Sequence, residues 1–169
     1  MSRLREKNGH KEPWKIKYFG VGNESWGCGG NMEAEYYGDL FRRYNTYVRD
    51  YDQNNKIYRI ACGPNGDDYN WTERLLKKIG RKANGISLHY YTVPTGNWDK
   101  KGSSTDFDEN EYFSTIAKAY NIERIISRHC DIMNKYDPDK KINLIVDEWG
   151  TWYDVEPELI QDFFISSAQ

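Results

Sequence analysis

Two glutamates carry the strongest chemical signal in this 169-residue sequence. Glu24 follows Tyr18-Phe19-Gly20-Val21-Gly22-Asn23, and Glu148 follows Leu144-Ile145-Val146-Asp147. Both preceding runs have the β-branched and aromatic content of strands, so each carboxylate stands at a strand end. In α/β barrels, catalytic groups sit at the carboxyl ends of the strands. Two carboxylates on one rim can flank a glycosidic bond, one as acid and the other as nucleophile or base. Taken singly, a glutamate at a strand end more often pairs with a basic residue. The convergence of two, with the residues around them, is what points to chemistry.

The elements that must position this pair follow from periodicity. Strands are expected over residues 15–22, 57–62, 86–91 and 142–146, the last a nearly continuous apolar run of the kind covered on both faces. Helices are expected over 32–51, with Asn31 as N-cap, over 71–79, with Gly80 at its C-terminal boundary, and over 112–136, in one or two pieces. The buried set of the 112–136 helix is expected to be Phe113, Ile116, Tyr120, Ile125, Ile126, Ile132 and Met133. A further helix is expected from Glu156 onward. A polar loop spans 92–108 and contains Pro94 and Trp98; a loop of that length in a compact domain is usually functional or mobile. Strands alternating with amphipathic helices imply an α/β architecture with a parallel sheet. It closes either as an open doubly wound sheet or as part of an eight-stranded barrel. The dinucleotide-binding version of the first fails, because Gly20, Gly22 and the Gly27-Cys28-Gly29-Gly30 cluster lack the Gly-x-Gly-x-x-Gly spacing.

Composition narrows the function classes. A formal net charge of −2 and a pI near 6.0 offer no basic footprint for nucleic acid. No apolar run approaches the ~20 residues that span a bilayer. Aromatic residues at 15% of the chain are too bulky for a disordered tail, and with mean hydropathy −0.93 they exceed what a core alone would use. A surface that handles flat, hydroxylated sugar rings would account for them. Cys28, Cys62 and Cys130 form no C-x-x-C pair and are expected to be buried, small and apolar. His10, His89 and His129 have no zinc-site spacing, so no metal is expected. The first ten residues lack the apolar core of a signal peptide. Both ends read as cut.

The surrounding residues sharpen the reading. Tyr18-Phe19-Gly20-Val21-Gly22-Asn23-Glu24-Ser25-Trp26-Gly27-Cys28-Gly29-Gly30-Asn31-Met32 resembles the acid/base segment of the α-L-arabinofuranosidases of glycoside hydrolase family 51. Leu144-Ile145-Val146-Asp147-Glu148-Trp149-Gly150-Thr151-Trp152-Tyr153 resembles the family's nucleophile segment, and Ile86-Ser87-Leu88-His89-Tyr90-Tyr91 its sixth strand. The likeness runs from about Arg5 to Pro157. It implies a partial (β/α)8 barrel (TIM barrel) of the retaining glycosidase clan A type. The four strands here would be barrel strands four to seven. The family's strands one to three, strand eight and C-terminal β-sandwich have no counterpart, so residues 1–169 are expected to be a fragment of the catalytic domain.

The resemblance also implies roles. Glu24 would be the general acid/base and Glu148 the nucleophile that forms a covalent glycosyl-enzyme. Retention asks for carboxyl groups roughly 5–5.5 Å apart. At that range the charge of Glu148 would keep Glu24 protonated until Glu148 is esterified. Asn23 would bind a sugar hydroxyl, and Tyr91 would hydrogen-bond and orient the nucleophile. His89 is either a second site residue or a satisfied interior histidine, while Tyr90 should point the opposite way. Trp26, Trp98, Trp149 and Trp152 are candidates for stacking on sugar, one or two of the four being expected to do so.

The implied substrate is an arabinose-containing oligo- or polysaccharide, with no cofactor, nucleic-acid or membrane partner and with a homo-oligomeric parent protein left open. Two other readings stay beside it: a non-catalytic fragment with weak sugar binding, and another retaining glycosidase of the same clan acting on xylosides or glucosides. The Trp26–Met32 stretch argues against the second of these. A cytoplasmic, bacterial location is favoured, in weak agreement with unpaired cysteines.

Overall fold

The computed structural model describes residues 1–155; the helix expected from Glu156 lies outside the described residues. The element order is α1 (Ser2–Lys7), β1 (Tyr18–Val21), α2 (Ala34–Asn45), β2 (Tyr58–Ala61), α3 (Tyr69–Ile79), β3 (Gly85–Thr92), α4 (Glu109–Tyr120), α5 (Ile122–Tyr136) and β4 (Asn143–Thr151). The strands form one parallel sheet in sequence order, β1-β2-β3-β4. Every crossover carries a helix, as parallel neighbours require, and all four carboxyl ends emerge on one edge.

Apolar spacing sets the helix faces. In α2, Ala34, Tyr37, Gly38 and Phe41 are buried, and in α3 Trp71, Thr72, Leu75, Leu76 and Ile79 are. With Ile86 and Ala61 from the sheet these form the main core. Asp68 caps α3 by accepting from the Trp71 N–H at 2.9 Å. Asp108 and Glu111 close a reciprocal capping box at the start of α4. Arg74 of α3 bonds both Glu33 and Glu35 at the start of α2, joining the two helices at their polar rim.

Tyr37 fastens this core to the functional edge. Its hydroxyl donates to the Val21 carbonyl at 2.5 Å and accepts from the Cys62 N–H at 2.6 Å. One side chain thus ties the end of β1 to the residue after β2.

Several expectations change. The 32–51 helix is shorter, and its N-cap is Glu33 rather than Asn31, which adopts φ +49° in the preceding turn. It stops at Asn45 because the chain must turn back toward β2: the Val48 carbonyl accepts from Arg59, and Asp50 accepts from the Ile57 N–H. Tyr47 and Tyr51 fall beyond the helix and are exposed, and Tyr44 is exposed in its last turn. Phe113, Ile116 and Tyr120 are exposed too, because α4 packs loosely over the end of β3, and only Ile125 and Met133 of the expected set are buried. Strand β4 is half-buried rather than covered on both faces, since it forms one edge of the sheet among the described residues.

Two expected outcomes follow. Tyr37→Phe strands a buried N–H and a buried carbonyl, so urea unfolding should show a loss of about 1–3 kcal/mol; an unchanged midpoint would contradict that coupling. Among the described residues β1 and β4 are the edge strands, with Tyr18 and Phe19 exposed on β1, and such edges template further pairing. Light scattering at rising concentration should therefore show self-association, and a monomer with a sharp, concentration-independent melt would refute this.

Candidate active site

Glu24 is held in place by its own loop. It follows β1 and adopts φ +41°, a left-handed conformation costing about 1–3 kcal/mol for a non-glycine residue. The residues after it supply the restraint. The Gly27 and Gly29 N–H groups donate to the Glu24 carbonyl at 2.8 and 3.0 Å, and the Met32 N–H donates to that of Ser25 at 2.7 Å. Gly29 has to be glycine, because a Cβ there would lie 1.8 Å from the Asn23 carbonyl oxygen. Trp26 Nε1 donates to the Gly63 carbonyl at 3.1 Å, stapling the loop to the end of β2.

Glu148 is aimed by an irregularity in pairing. Leu88 pairs with Val146, but His89 pairs with Glu148, so Asp147 is the extra residue of a bulge. Bulges re-aim side chains and are over-represented beside active sites. This one turns Glu148 toward His89 and Tyr91. Tyr91 Oη donates to Glu148 Oε1 at 3.0 Å. Gly150 stands opposite Tyr91 in register, where a Cβ would crowd the ring at 3.2 Å.

His89, 3% exposed, lies between the carboxylates. Its Nδ1 is 2.9 Å from Glu24 Oε1 and 3.4 Å from Glu148 Oε2, and its Nε2 is 3.3 Å from Asp147 Oδ1. Burial opposes its charge, but hydrogen bonds to Asp147 and Glu24 and the charges of Glu148 and Asp147 outweigh it. The imidazole is pushed up to about 9. Burial, the bond to Glu148 and the surrounding negative charge push the Tyr91 phenol up to about 12, so it remains a donor. One ligand atom each of Glu24, His89 and Glu148 lie within 4.8 Å of one another. The trio has the donor types of a divalent-cation site, and a cation there would have to displace the proton that His89 holds.

A cleft of about 460 Å³ opens over these groups, lined by Asn23, Glu24, Trp26, Cys28, Asn65, Tyr91, Trp98, Glu148 and Trp152. Its size suits a small sugar. Trp152 packs edge-on to Tyr91, and Trp26 edge-on to His89. Of the sequence candidates, Trp149 does not join them. Strand alternation sends it to the outer face, where it is 69% exposed and lines a different cavity, about 480 Å³, with Tyr90, Ile122 and Ile126. That cavity is apolar and lacks carboxylates. Tyr90 points away as expected, its hydroxyl donating to the Lys118 carbonyl.

Sequence reasoning missed Asp147, Asn65 and Cys28. Asp147 directly precedes Glu148, Asn65 lies in the turn after β2, and Cys28 lies in the loop after β1; nearness in sequence to the glutamates could have flagged Asp147 and Cys28. Cys28 is exposed, against the expectation of burial, because the glycines around it hold the loop at the mouth of the cleft; Cys62 is buried as expected.

Fold and site define an α/β protein whose parallel sheet gathers a carboxylate pair on its carboxyl edge. Residues 1–129 match the model of the alpha-L-arabinofuranosidase 1 domain, and the chain belongs to that family. It is 53% identical over 161 residues to an intracellular exo-alpha-L-arabinofuranosidase of Bacteroides ovatus, covering 95% of this chain and 31% of that protein. Among solved structures it resembles a family 51 arabinofuranosidase from Xanthomonas axonopodis pv. citri, with a TM-score of 0.86, 48% identity, and coverage of 95% of this chain and 32% of that one. An alpha-L-arabinofuranosidase from Thermotoga maritima, solved with arabinose, gives a TM-score of 0.68 at 29% identity over 91% of this chain and 29% of that one. The chain thus spans about a third of the length of these relatives. Among the described residues, no helix is long and apolar enough to cross a membrane.

The raised His89 gives a signed pH dependence. A group whose folded pKa lies above its ordinary value near 6.5 contributes stability that is complete below that value. The contribution is lost as pH rises through about 9. Urea unfolding at pH 6, 7.5 and 9.5 should show declining stability, and His89→Gln should flatten the decline. Equal slopes in the two proteins would mean that His89 is not the cation between the carboxylates.

Proposed function

We propose that this chain carries the acid/base and the nucleophile of a retaining α-L-arabinofuranosidase. The observation that supports it most is the separation of the two carboxylates. Oxygens of Glu24 and Glu148 lie within 4.8 Å, which suits the roughly 5–5.5 Å of retaining enzymes and leaves no room for the water of an inverting one. Glu148, oriented by Tyr91, attacks the anomeric carbon while Glu24 delivers a proton to the leaving oxygen. Glu24 then takes a proton from the water that releases the sugar. Asn23 binds a sugar hydroxyl, and of the tryptophans that line the cleft, Trp26, Trp98 and Trp152, one or two stack on the sugar. The arabinose-containing substrate is inferred from what the relatives' names say of those proteins, and an intracellular location likewise.

In the same reading, the four strands form an arc of a (β/α)8 barrel, strands four to seven. The substrate contacts of the family's other strands and of its β-sandwich have no counterpart in this sequence. Activity is thereby expected to be greatest when the arc is completed.

The test is hydrolysis of an aryl α-L-arabinofuranoside, with the product anomer followed by proton NMR. The α anomer should form first. Glu148→Gln should abolish turnover, and Glu24→Gln should cost about 10²–10⁴-fold. A 2-fluoro arabinofuranosyl inactivator should label the peptide containing Glu148. First appearance of the β anomer, or a label on another residue, would overturn the assignment.

A further inference from the structure

Glu24 has a second partner that the carboxylate-pair chemistry does not use. Cys28 Sγ lies 3.1 Å from Glu24 Oε2, one helical step along the loop, at the mouth of the cleft. Glu24 Oε1 is meanwhile held by His89 at 2.9 Å. Each carboxyl oxygen thus has one donor, from opposite sides. We propose that Cys28 is a positioning residue for Glu24, its thiol and the His89 imidazole together fixing the carboxyl group in the cleft. This rests on the reading of Glu24 as the acid/base.

The physical case is one of restraint. A glutamate side chain has three torsions, and ordering it costs up to about 2 kcal/mol. The left-handed backbone at Glu24 settles where the side chain starts but leaves its carboxyl end free. A thiol suits the second contact because it is a weak donor and a weak acceptor. It can face Oε2 when Glu24 is ionised, and it loses little when that oxygen carries the proton. The hydrogen bond to Glu24, with smaller contributions from burial and from the charge of Glu24, raises the thiol above its ordinary value, so it keeps its proton and remains a donor around neutral pH. The flanking Gly27, Gly29 and Gly30 allow the tight return that brings residue 28 back over residue 24, with the Gly27 and Gly29 N–H groups both on the Glu24 carbonyl.

The test reads the thiol directly. Iodoacetamide alkylation of Cys28 in the 169-residue chain is followed against pH by peptide mass, with Cys130 as internal reference. In Glu24→Gln the Cys28 profile should move to lower pH, with alkylation several-fold faster at pH 8, while that of Cys130 stays put. Glu24→Asp, which retracts the carboxylate by one methylene, should move it the same way and serves if the Gln variant does not fold. Superimposable Cys28 profiles in parent and variant would overturn the proposal whether or not the chain hydrolyses anything, so its failure is separable from failure of the glycosidase reading. In a preparation that turns over, Cys28→Ala should lower kcat about tenfold or more with KM nearly constant, and Cys28→Ser should restore most of it. A kcat for Cys28→Ala equal to the parent's would also overturn it.

Discussion

The imidazolium of His89 is the interaction on which the rest of the site depends. Three carboxylates, Glu24, Asp147 and Glu148, come within 3.4 Å of its two nitrogens. Without a hydrogen-bond donor among them, acidic groups so close in a partly buried site would repel whenever more than one is ionised. With it, all three acidic side chains share one partner, and the two segments that carry them, the loop after β1 and the bulged strand β4, meet on β3. Charge neutralisation and geometry are supplied by the same group. His89 is deeply buried, so it is itself held by packing, against the Trp26 ring and beneath the cleft.

That centre works only because the strands deliver their ends to one edge. A parallel sheet with helical crossovers does so by topology, and smaller devices then make the alignment exact enough for chemistry. Tyr37 joins β1 to β2 from behind. The bulge at Asp147 lets two successive residues of β4, Asp147 and Glu148, both reach His89. Asp154 accepts from the Lys101 and Gly102 N–H groups at 2.9 and 3.0 Å, tying the loop that carries Trp98 to the segment after β4. Restraint is concentrated where the chain is least regular, which is what a strained Glu24 backbone needs in order to persist.

Much of this was legible in the residues. Four strands, the order of helices between them and the parallel sheet followed from apolar spacing, because a helix or strand that buries one face advertises its period. The likeness to family 51 rested on two short segments around the glutamates, and the family match stands. Less legible was anything set by what lies across the sheet. Tyr44, Phe113 and Tyr120 share the spacing of buried residues yet face outward, since periodicity marks a face without saying whether another layer covers it. Trp149 is one of four candidate rings by its place beside Glu148, but adjacent strand residues point to opposite faces and only the register shows which is which.

By itself, the sequence determined the α/β class, the strand-end position of Glu24 and the glycine-rich turn that must follow it, because these depend on local propensity and on residues near one another in the chain; the strand carrying Glu148, expected to end at Val146, continues to Thr151. Only the tertiary structure decided that His89 lies between Glu24 and Glu148, that Asp147 joins them and that Cys28 closes over Glu24. Those facts depend on pairing register and loop closure between segments as far apart as β1 and β4, and a one-residue slip would have turned every side chain of a strand to the other face.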